Sequence, residues 1–439
     1  MLLNNKIIYW NQLNNSAKKN ILSRPKIIKS SDLKSLVQSI ICNIRDYGDD
    51  ILYKYTRQFD KFWLSNLKVD INRIDDSKYL ISKNFKHAVK LAKLNIKAFH
   101  SHQLMKNIDI NTQIGIRCQQ IILPIESVGL YVPGGTAPLT STVLMLSIPA
   151  KIAGCKNIVL CSPPPISNEI LYVAKKCGIN NIFQIGGAQA IAAMGLGTET
   201  IPKVNKIFGP GNSYVTEAKL QLSQLLPELS IDMIAGPSEL LIIADDTASP
   251  QFIASDILAQ LEHGCDSQVI LLTPSINILK KVLLEIELQL LHLNRYKIII
   301  QSLKNSKFIL TYDLLECIKI SNIYAPEHLM IQTENPRFLL KYVVNAGSVF
   351  LGSWSPESVG DYASGTNHVL PTHGSSVCFS GLSVLDFQKR ISVQELTPLG
   401  LKNISDSVEL IALTENMDAH KQSITCRVNS IKGGYGEKY

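Results

Sequence analysis

Several signals are missing from this 439-residue chain, and each absence narrows what it can be. No stretch of 18 residues is free of both charge and helix breakers, so no membrane-spanning helix is expected. The opening Met1-Leu2-Leu3-Asn4-Asn5-Lys6 lacks the charged-then-apolar order of a signal peptide, and the expected location is the cytoplasm. The nine cysteines never occur at CxxC spacing, and most sit beside Ile, Val, Leu or Gly. They read as small buried hydrophobes in a reducing compartment, with neither a disulfide framework nor a sulfur-rich metal site. The net charge is +8, from 44 Lys+Arg against 36 Asp+Glu, but no basic run of five or six residues accompanies it. The excess is therefore assigned to solvated surface, and no nucleic-acid or membrane partner is expected. Repeats and low-complexity linkers are also absent.

What is present is a large apolar content. With 46% hydrophobic and only 18% charged residues, the chain can bury a sizeable core, and disorder is excluded. At about 150 residues per domain, the length suggests two to four domains. Residues 1 to about 110 are Lys/Asn-rich with helical spacing, as in Leu33, Leu36, Val37, Ile40 and Ile41. The pattern changes near Ile121. From Val128–Val132 onward, short apolar runs bounded by Gly and Pro alternate with helical stretches. Strands are expected at Asn157–Cys161, Asn181–Ile185, Lys206–Phe208, Glu239–Ala244 and Gln268–Leu272. This alternation is the signature of parallel α/β sheets. The last sixty or so residues return to helical spacing.

Three glycine turns follow expected strands: Pro133-Gly134-Gly135-Thr136, Gly186-Gly187-Ala188-Gln189 and Phe208-Gly209-Pro210-Gly211-Asn212. Glycine at the carboxyl end of a parallel strand lets backbone approach a ligand, and a helix starting there offers N–H groups to phosphate. None of the three matches GxGxxG, so a standard dinucleotide fingerprint is missing.

A second constellation lies downstream. The segment from Ser249 to Gly264 is signposted as a helix, with Ser249 as N-cap, Pro250 at the first position and Gly264 past the end. Gln260 and His263 are three apart and therefore neighbours on one side of it. Taken alone, they read as a surface Gln and a His complementing the helix dipole. Six of the nine histidines fall after residue 260, five of them in motif-like settings, at His263, His328, His368, His373 and His420. In Ala325-Pro326-Glu327-His328-Leu329 the proline should push Ala325 to extended geometry. Glu327 and His328 would face opposite ways in a regular strand, so serving one site requires irregular backbone there. Gly360–His368 reads as a polar, Gly-punctuated loop.

Together, Tyr131-Val132-Pro133-Gly134-Gly135, Gly209-Pro210-Gly211-Asn212, Ala235-Gly236-Pro237-Ser238-Glu239, Ala325–Leu329, Gly360–His368, Leu413-Thr414-Glu415 and Asp418-Ala419-His420 resemble the histidinol dehydrogenase family, in this order and across nearly the whole chain. The resemblance implies two atypical Rossmann-like α/β domains with small helical N- and C-terminal domains, in an intertwined homodimer. The implied division is 1–27 for an N-terminal helical arm, 28–130 with 240–382 for a discontinuous α/β domain, 131–239 for the α/β domain carrying the NAD turns, and 383–439 for a helical segment reaching the partner subunit.

The implied reaction is oxidation of L-histidinol through L-histidinaldehyde to L-histidine with NAD, and the implied zinc ligands are Gln260, His263, Asp361 and His420. One carboxylate, one amide and two imidazoles leave a zinc site of formal charge about +1. Glu327 and His328 are the implied catalytic pair, the base for the alcohol being His328 and the activator of water Glu327. Ser238, Gln260, His263, His328, Asp361, His368, Glu415 and His420 are the implied substrate contacts, and Tyr131, Gln189 and Asn212 the NAD contacts. A break near Asn416–Asp418 is expected, because Glu415 and His420 are five apart, about 140° on one helix. The runner-up reading of the same parts is a zinc-dependent hydrolase using Glu327 and His328 with metal-bound water. A nucleic-acid-binding reading draws only on the charge.

Overall fold

The computed structural model describes residues 7–25, 31–134, 138–233 and 236–432. Gly135, Thr136 and Ala235 of the motifs above lie outside the described residues, as do the ends of the expected 1–27 and 383–439 segments. The described strands are β1 (Ile7–Tyr9), β2 (Ile108–Gln113), β3 (Ile116–Pro124), β4 (Ser127–Tyr131), β5 (Asn157–Ser162), β6 (Asn181–Gln184), β7 (Lys206–Phe208), β8 (Ser230–Ile231), β9 (Glu239–Ala244), β10 (Gln268–Thr273), β11 (Lys307–Leu310), β12 (His328–Gln332), β13 (Ser348–Leu351) and β14 (Gln388–Leu396). The chain divides into two compact units, one of residues 1–103 and 125–387, the other of 104–124 and 388–439.

The first unit holds two all-parallel sheets. One runs β6-β5-β4-β7-β8 and the other β1-β11-β10-β9-β12-β13. Glu239-Leu240-Leu241-Ile242-Ile243-Ala244 shows why such segments read as strands: all six residues are buried, because helices cover both faces of the sheet. Leu240 and Ile242 pack on Ile253, Ile257, Val282 and Ile286 of two flanking helices. Leu241 and Ile243 pack the opposite way, against Trp10, Cys317, Ile318 and Tyr324. On the five-stranded sheet, Val128 and Leu130 meet Val89 and Ile96 of the helix Lys83–Ser101, while Val159 and Ile207 meet Val37, Ile40 and Ile44 of the helix Ser31–Tyr55. This core thus takes in residues from 31–101 as well as from 131–239.

Strand order in the five-stranded sheet reverses at β4, which has β5 on one side and β7 on the other. Such a switch point opens a crevice at the carboxyl ends of the strands. Gly209, after β7, sits at φ +123°, where an added Cβ would lie 2.1 Å from the Tyr131 carbonyl oxygen at the end of β4. Only glycine fits there. Lys219 braces the same turn from below: its Nζ donates to the Gly209 carbonyl and to Asp232 Oδ1 at 2.7 Å, while Asp232 Oδ2 accepts from the Gly209 N–H at 2.7 Å. Both side chains of this ion pair are almost fully buried.

The second unit carries the expected C-terminal helices and adds a sheet ahead of them. Its β14 pairs antiparallel with β3, and β3 with β2, ahead of the helices Pro398–Thr414 and Asp418–Lys432. In Gln388–Leu396 polar and charged residues flank isolated apolar ones, which is the pattern of a largely solvated strand, and helical spacing on either side masks it. The N-terminal segment is likewise not purely helical, since β1 adds to the edge of the six-stranded sheet beside β11. The helix break is where expected: Asn416 adopts φ +56° between the two helices, and Asp418 is the first residue of the second. Four of the cysteines are buried, Cys155, Cys161, Cys177 and Cys317, whereas Cys265, Cys378 and Cys426 are exposed. Among the described residues, no helix is long and apolar enough to cross a membrane.

Removing one member of a buried ion pair strands its partner. Lys219→Ala should therefore destabilise the protein by about 3–5 kcal/mol, read from denaturant midpoints; a loss below about 1 kcal/mol would contradict the bracing role.

Candidate active site

The helix after β9 starts as expected, with the Ser249 hydroxyl accepting from the Phe252 N–H and Pro250 at the first turn. It stops at Leu261, short of Gly264, so His263 lies in the turn beyond it. Gln260 is fully buried, which overturns the surface reading. The amide orientation that satisfies its neighbours places its nitrogen against Glu357, donating to Oε1 at 2.9 Å and Oε2 at 3.3 Å. Glu357 is buried in the first turn of the helix Glu357–Tyr362, which also carries Asp361. The loop expected at Gly360–His368 thus begins as the end of a helix.

Glu327 and His328 do reach one place, by a route different from the one expected. Ala325 is not extended: it caps the helix Leu314–Tyr324 in the left-handed region, at φ +52° and ψ +68°. Its N–H is used by the Ser321 carbonyl at 2.7 Å, which closes the helix and outweighs the preference that Pro326 imposes. Glu327 then lies just before β12 and His328 opens it, opposite Leu240 of β9. Both side chains converge on the backbone of one residue. Glu327 Oε2 accepts from the Glu239 N–H at 2.8 Å, and His328 Nδ1 lies 3.1 Å from the Glu239 carbonyl oxygen.

A carbonyl only accepts, so Nδ1 carries the imidazole proton and Nε2 keeps its lone pair. Nε2 is buried, has no hydrogen-bond partner and lies 4.0 Å from Asp361 Oδ1. Burial pushes the His328 pKa down to about 3, so the ring is neutral near pH 7.

The carboxyls around it are displaced the other way. Desolvation raises Glu327 and Glu357 well above the usual carboxylate range, each further raised by its acidic neighbours. Burial lifts Asp361 to about 6, with His263 opposing. The ligating atoms of His328, Glu357 and Asp361 lie within 4.8 Å of one another. Of these three only Asp361 belongs to the implied zinc set; the crowded, buried carboxyls suit the neighbourhood of a divalent cation, whose charge would offset the desolvation that now favours protonation, and the His328 lone pair stays free for a proton. His263 stands at the rim: it is exposed, yet its inward side is desolvated enough to lower its pKa, against the pull of Asp361. His368 donates from Nδ1 to the Asp361 carbonyl (2.8 Å) and faces the Thr142 hydroxyl with Nε2 (3.3 Å), so it anchors the backbone that presents Asp361. Ser238 is half-buried immediately before Glu239.

The described parts of the three glycine turns follow β4, β6 and β7 of the other sheet. The Tyr131 hydroxyl, at the end of β4, accepts from the Gly187 N–H at 2.9 Å. Gln189 is buried two residues further on, and Asn212 caps the helix Ser213–Leu225 by accepting from the Tyr214 and Val215 N–H groups. Glu415 and His420 belong to the second unit, where both are exposed.

A family model described as histidinol dehydrogenase matches residues 23–428. The chain belongs to the histidinol dehydrogenase family. It is 56% identical over 427 residues to the histidinol dehydrogenase of Buchnera aphidicola subsp. Acyrthosiphon pisum, covering 97% of this chain and 98% of that protein. To the histidinol dehydrogenase of Escherichia coli it is 52% identical over 428 residues, 98% of this chain and 99% of that one. The crystal structure of histidinol dehydrogenase from Elizabethkingia anophelis superposes with a TM-score of 0.94 at 45% identity, over 97% of this chain and 98% of that chain.

Within this histidinol dehydrogenase fold, the sequence reading passed over two residues of the site. Glu357 looks in sequence like an ordinary acidic residue in a helix's first turn; only its place after Pro356 hinted at a helix start pointing inward. Glu239, read as the first residue of a strand, supplies the backbone that holds Glu327 and His328. Because Glu357 anchors the Gln260 amide, Glu357→Gln should weaken divalent-cation affinity about 10- to 100-fold in chelator competition, and unchanged affinity would contradict that anchoring.

Proposed function

We propose that this chain oxidises L-histidinol, through L-histidinaldehyde, to L-histidine, the last step of histidine biosynthesis, consuming one water and reducing two NAD per turnover. The observation that carries the reading is the buried Glu327–His328 pair on the Glu239 backbone, with His328 Nε2 deprotonated and unpartnered. The residues proposed to hold one zinc ion are Gln260, His263 and Asp361 of one chain and His420 of a second copy, in a cytoplasmic homodimer. Bound zinc would polarise and orient the substrate, and bound NAD would accept hydride.

The chain's own side chains supply the proton chemistry. His328 Nε2 takes the hydroxyl proton of the alcohol, since it is the open lone pair of a neutral imidazole. In the second half Glu327, ionised once the bound cation offsets the desolvation that otherwise keeps it protonated, takes a proton from the water that attacks the aldehyde carbon; its N–H contact from Glu239 fixes one carboxylate oxygen and leaves the other for water. Ser238, His368 and, from the second copy, Glu415 complete the substrate contacts together with the metal ligands. Tyr131, Gln189 and Asn212 are the proposed NAD contacts, and the switch-point crevice at β4 and β7 supports them. Cys155 has no part in this scheme: it is buried, its thiol is pushed up to about 11 by burial, and its Sγ faces the Phe387 carbonyl.

Three tests follow from these roles. Product analysis should give two NADH per histidine, abolished by chelation and restored by zinc; NADH formation that never exceeds one per substrate would overturn the four-electron assignment. In stepwise assays His328→Asn should lower both oxidations by about 10²–10⁴-fold, whereas Glu327→Gln should slow chiefly the aldehyde step. Equal losses at both steps for Glu327→Gln would contradict water activation. For the shared site, mixing inactive His263→Asn and His420→Asn proteins should regenerate activity after subunit exchange, and no recovery would place all ligands in one chain.

A further inference from the structure

The contact between the N-terminal arm and the start of β9 is absorbed by none of the roles above. Arg24, near the end of the arm, is 14% exposed in its side chain and Glu239 is 4% exposed. The guanidinium donates from Nε to Glu239 Oε1 and from Nη2 to Oε2 at 2.5 and 2.9 Å. Its Nη2 also donates to the carbonyls of Tyr324 (2.6 Å) and Ala325 (3.2 Å), and its plane lies over the Tyr324 ring, 3.9 Å from the centroid. Glu239 Oε1 accepts further from the His373 N–H at 3.0 Å, and Tyr324 Oη donates to Gln268 Oε1 at 2.7 Å.

We propose that Arg24 is a positioning residue for the oxidation, one that clamps Glu239 to the Tyr324–Ala325 turn and thereby sets the Glu327–His328 pair. The clamp joins the two backbone segments that decide where the pair points. One is Glu239, whose N–H and carbonyl hold the two side chains; the other is Ala325, whose left-handed conformation launches the chain toward Glu327. A non-glycine residue at positive φ is held there only when its surroundings over-determine it. The helix holds Ala325 by its N–H, and Arg24 holds it by its carbonyl.

A planar fork with five donors can grip a carboxylate with two parallel bonds and still reach two carbonyls; an ammonium cannot. Burial adds a second reason. Glu239 is one of several carboxyls near the pair, and Arg24 supplies the balancing charge at close range. Without it a buried carboxylate would stand unpaired beside Glu327, and the β9 start would shift to rehydrate it. Arg24 touches neither reacting group, so its effect passes through Glu239.

This inference rests on the catalytic reading of Glu327 and His328, and the experiment separates the two. Histidinol oxidation is followed in the zinc-loaded, full-length protein for wild type, Arg24→Ala, Arg24→Lys, Glu239→Gln and Glu327→Gln, with zinc content and thermal melts recorded for each. Displacement of a catalytic pair by an ångström lowers kcat about tenfold to hundredfold. That loss is expected for Arg24→Ala per zinc-loaded folded subunit, with KM for NAD and zinc content unchanged. Arg24→Lys should stay well below wild type, and millimolar guanidinium should raise kcat of Arg24→Ala while leaving wild type and Glu327→Gln unaffected.

A merely structural Arg24 would lower the melting temperature and the folded fraction, leave kcat per folded subunit intact, and show no guanidinium rescue; that result overturns the proposal. So does full activity in Arg24→Lys, which would reduce the clamp to charge alone. If Arg24→Ala does not fold, Glu239→Gln keeps the backbone and shape but weakens the grip, and wild-type kcat in that variant overturns the proposal as well. Should Glu327→Gln leave both oxidation steps untouched, the catalytic reading itself fails; if it slows the aldehyde step while Arg24→Ala does not change kcat, only the clamp fails.

Discussion

The site depends on the parallel pairing of β12 with β9. That register sets His328 opposite Leu240 and brings the backbone of Glu239 between the two side chains of a consecutive acid–base pair. An N–H there can only donate and a C=O can only accept, so the same residue fixes a carboxylate oxygen of Glu327 and the tautomer of His328. Two neighbours that a regular strand would send to opposite faces are thus brought together by placing one of them before the strand begins. The sheet supplies rigidity, since β9 is buried on both faces and flanked by β10 and β12.

The electrostatics follow from this burial. Glu327, Glu357 and Asp361 are all raised by desolvation, the first two further by acidic neighbours, while His328 and His368 are lowered. The unliganded arrangement therefore favours neutral acids and neutral imidazoles, the state in which a divalent cation gains most by displacing protons. Glu357 and His368 are the supports of this arrangement: one grips the amide of Gln260, the other the backbone of Asp361. At the other sheet, Gly209 pressed on the Tyr131 carbonyl and the Lys219–Asp232 pair beneath it hold the turn at the strand-order reversal. Glycine there answers a steric demand between two strands.

Much of the α/β framework was legible in the sequence because buried parallel strands are written as unbroken apolar runs. Lys206–Phe208 and Glu239–Ala244 form as expected, and Gln268–Leu272 extends by one residue. Of the strands absent from the expected set, β1, β2, β8, β13 and β14 sit at sheet edges, and in β2 and β14 exposed polar residues interrupt the apolar pattern. In the site, Gln260, His263, Asp361, Glu327 and His328 stood out through motif and spacing. Glu357 and Arg24 did not, because their importance lies in partners far along the chain: Arg24 meets Glu239 across 215 residues, and no local pattern encodes such a pairing. Ala325 was misjudged because the local rule for a residue before proline competes with a helix cap, and here the cap prevails.

The central claim is that the Glu239 carbonyl holds His328 with the proton on Nδ1 and the lone pair on Nε2. Nitrogen-15 NMR of histidine-labelled, metal-free protein reads this directly, with His328→Asn assigning the signal. The account predicts one neutral ring with a protonated Nδ1 and an unprotonated Nε2 at pH 7. A His328 signal with the proton on Nε2, or a ring exchanging between tautomers, would contradict it.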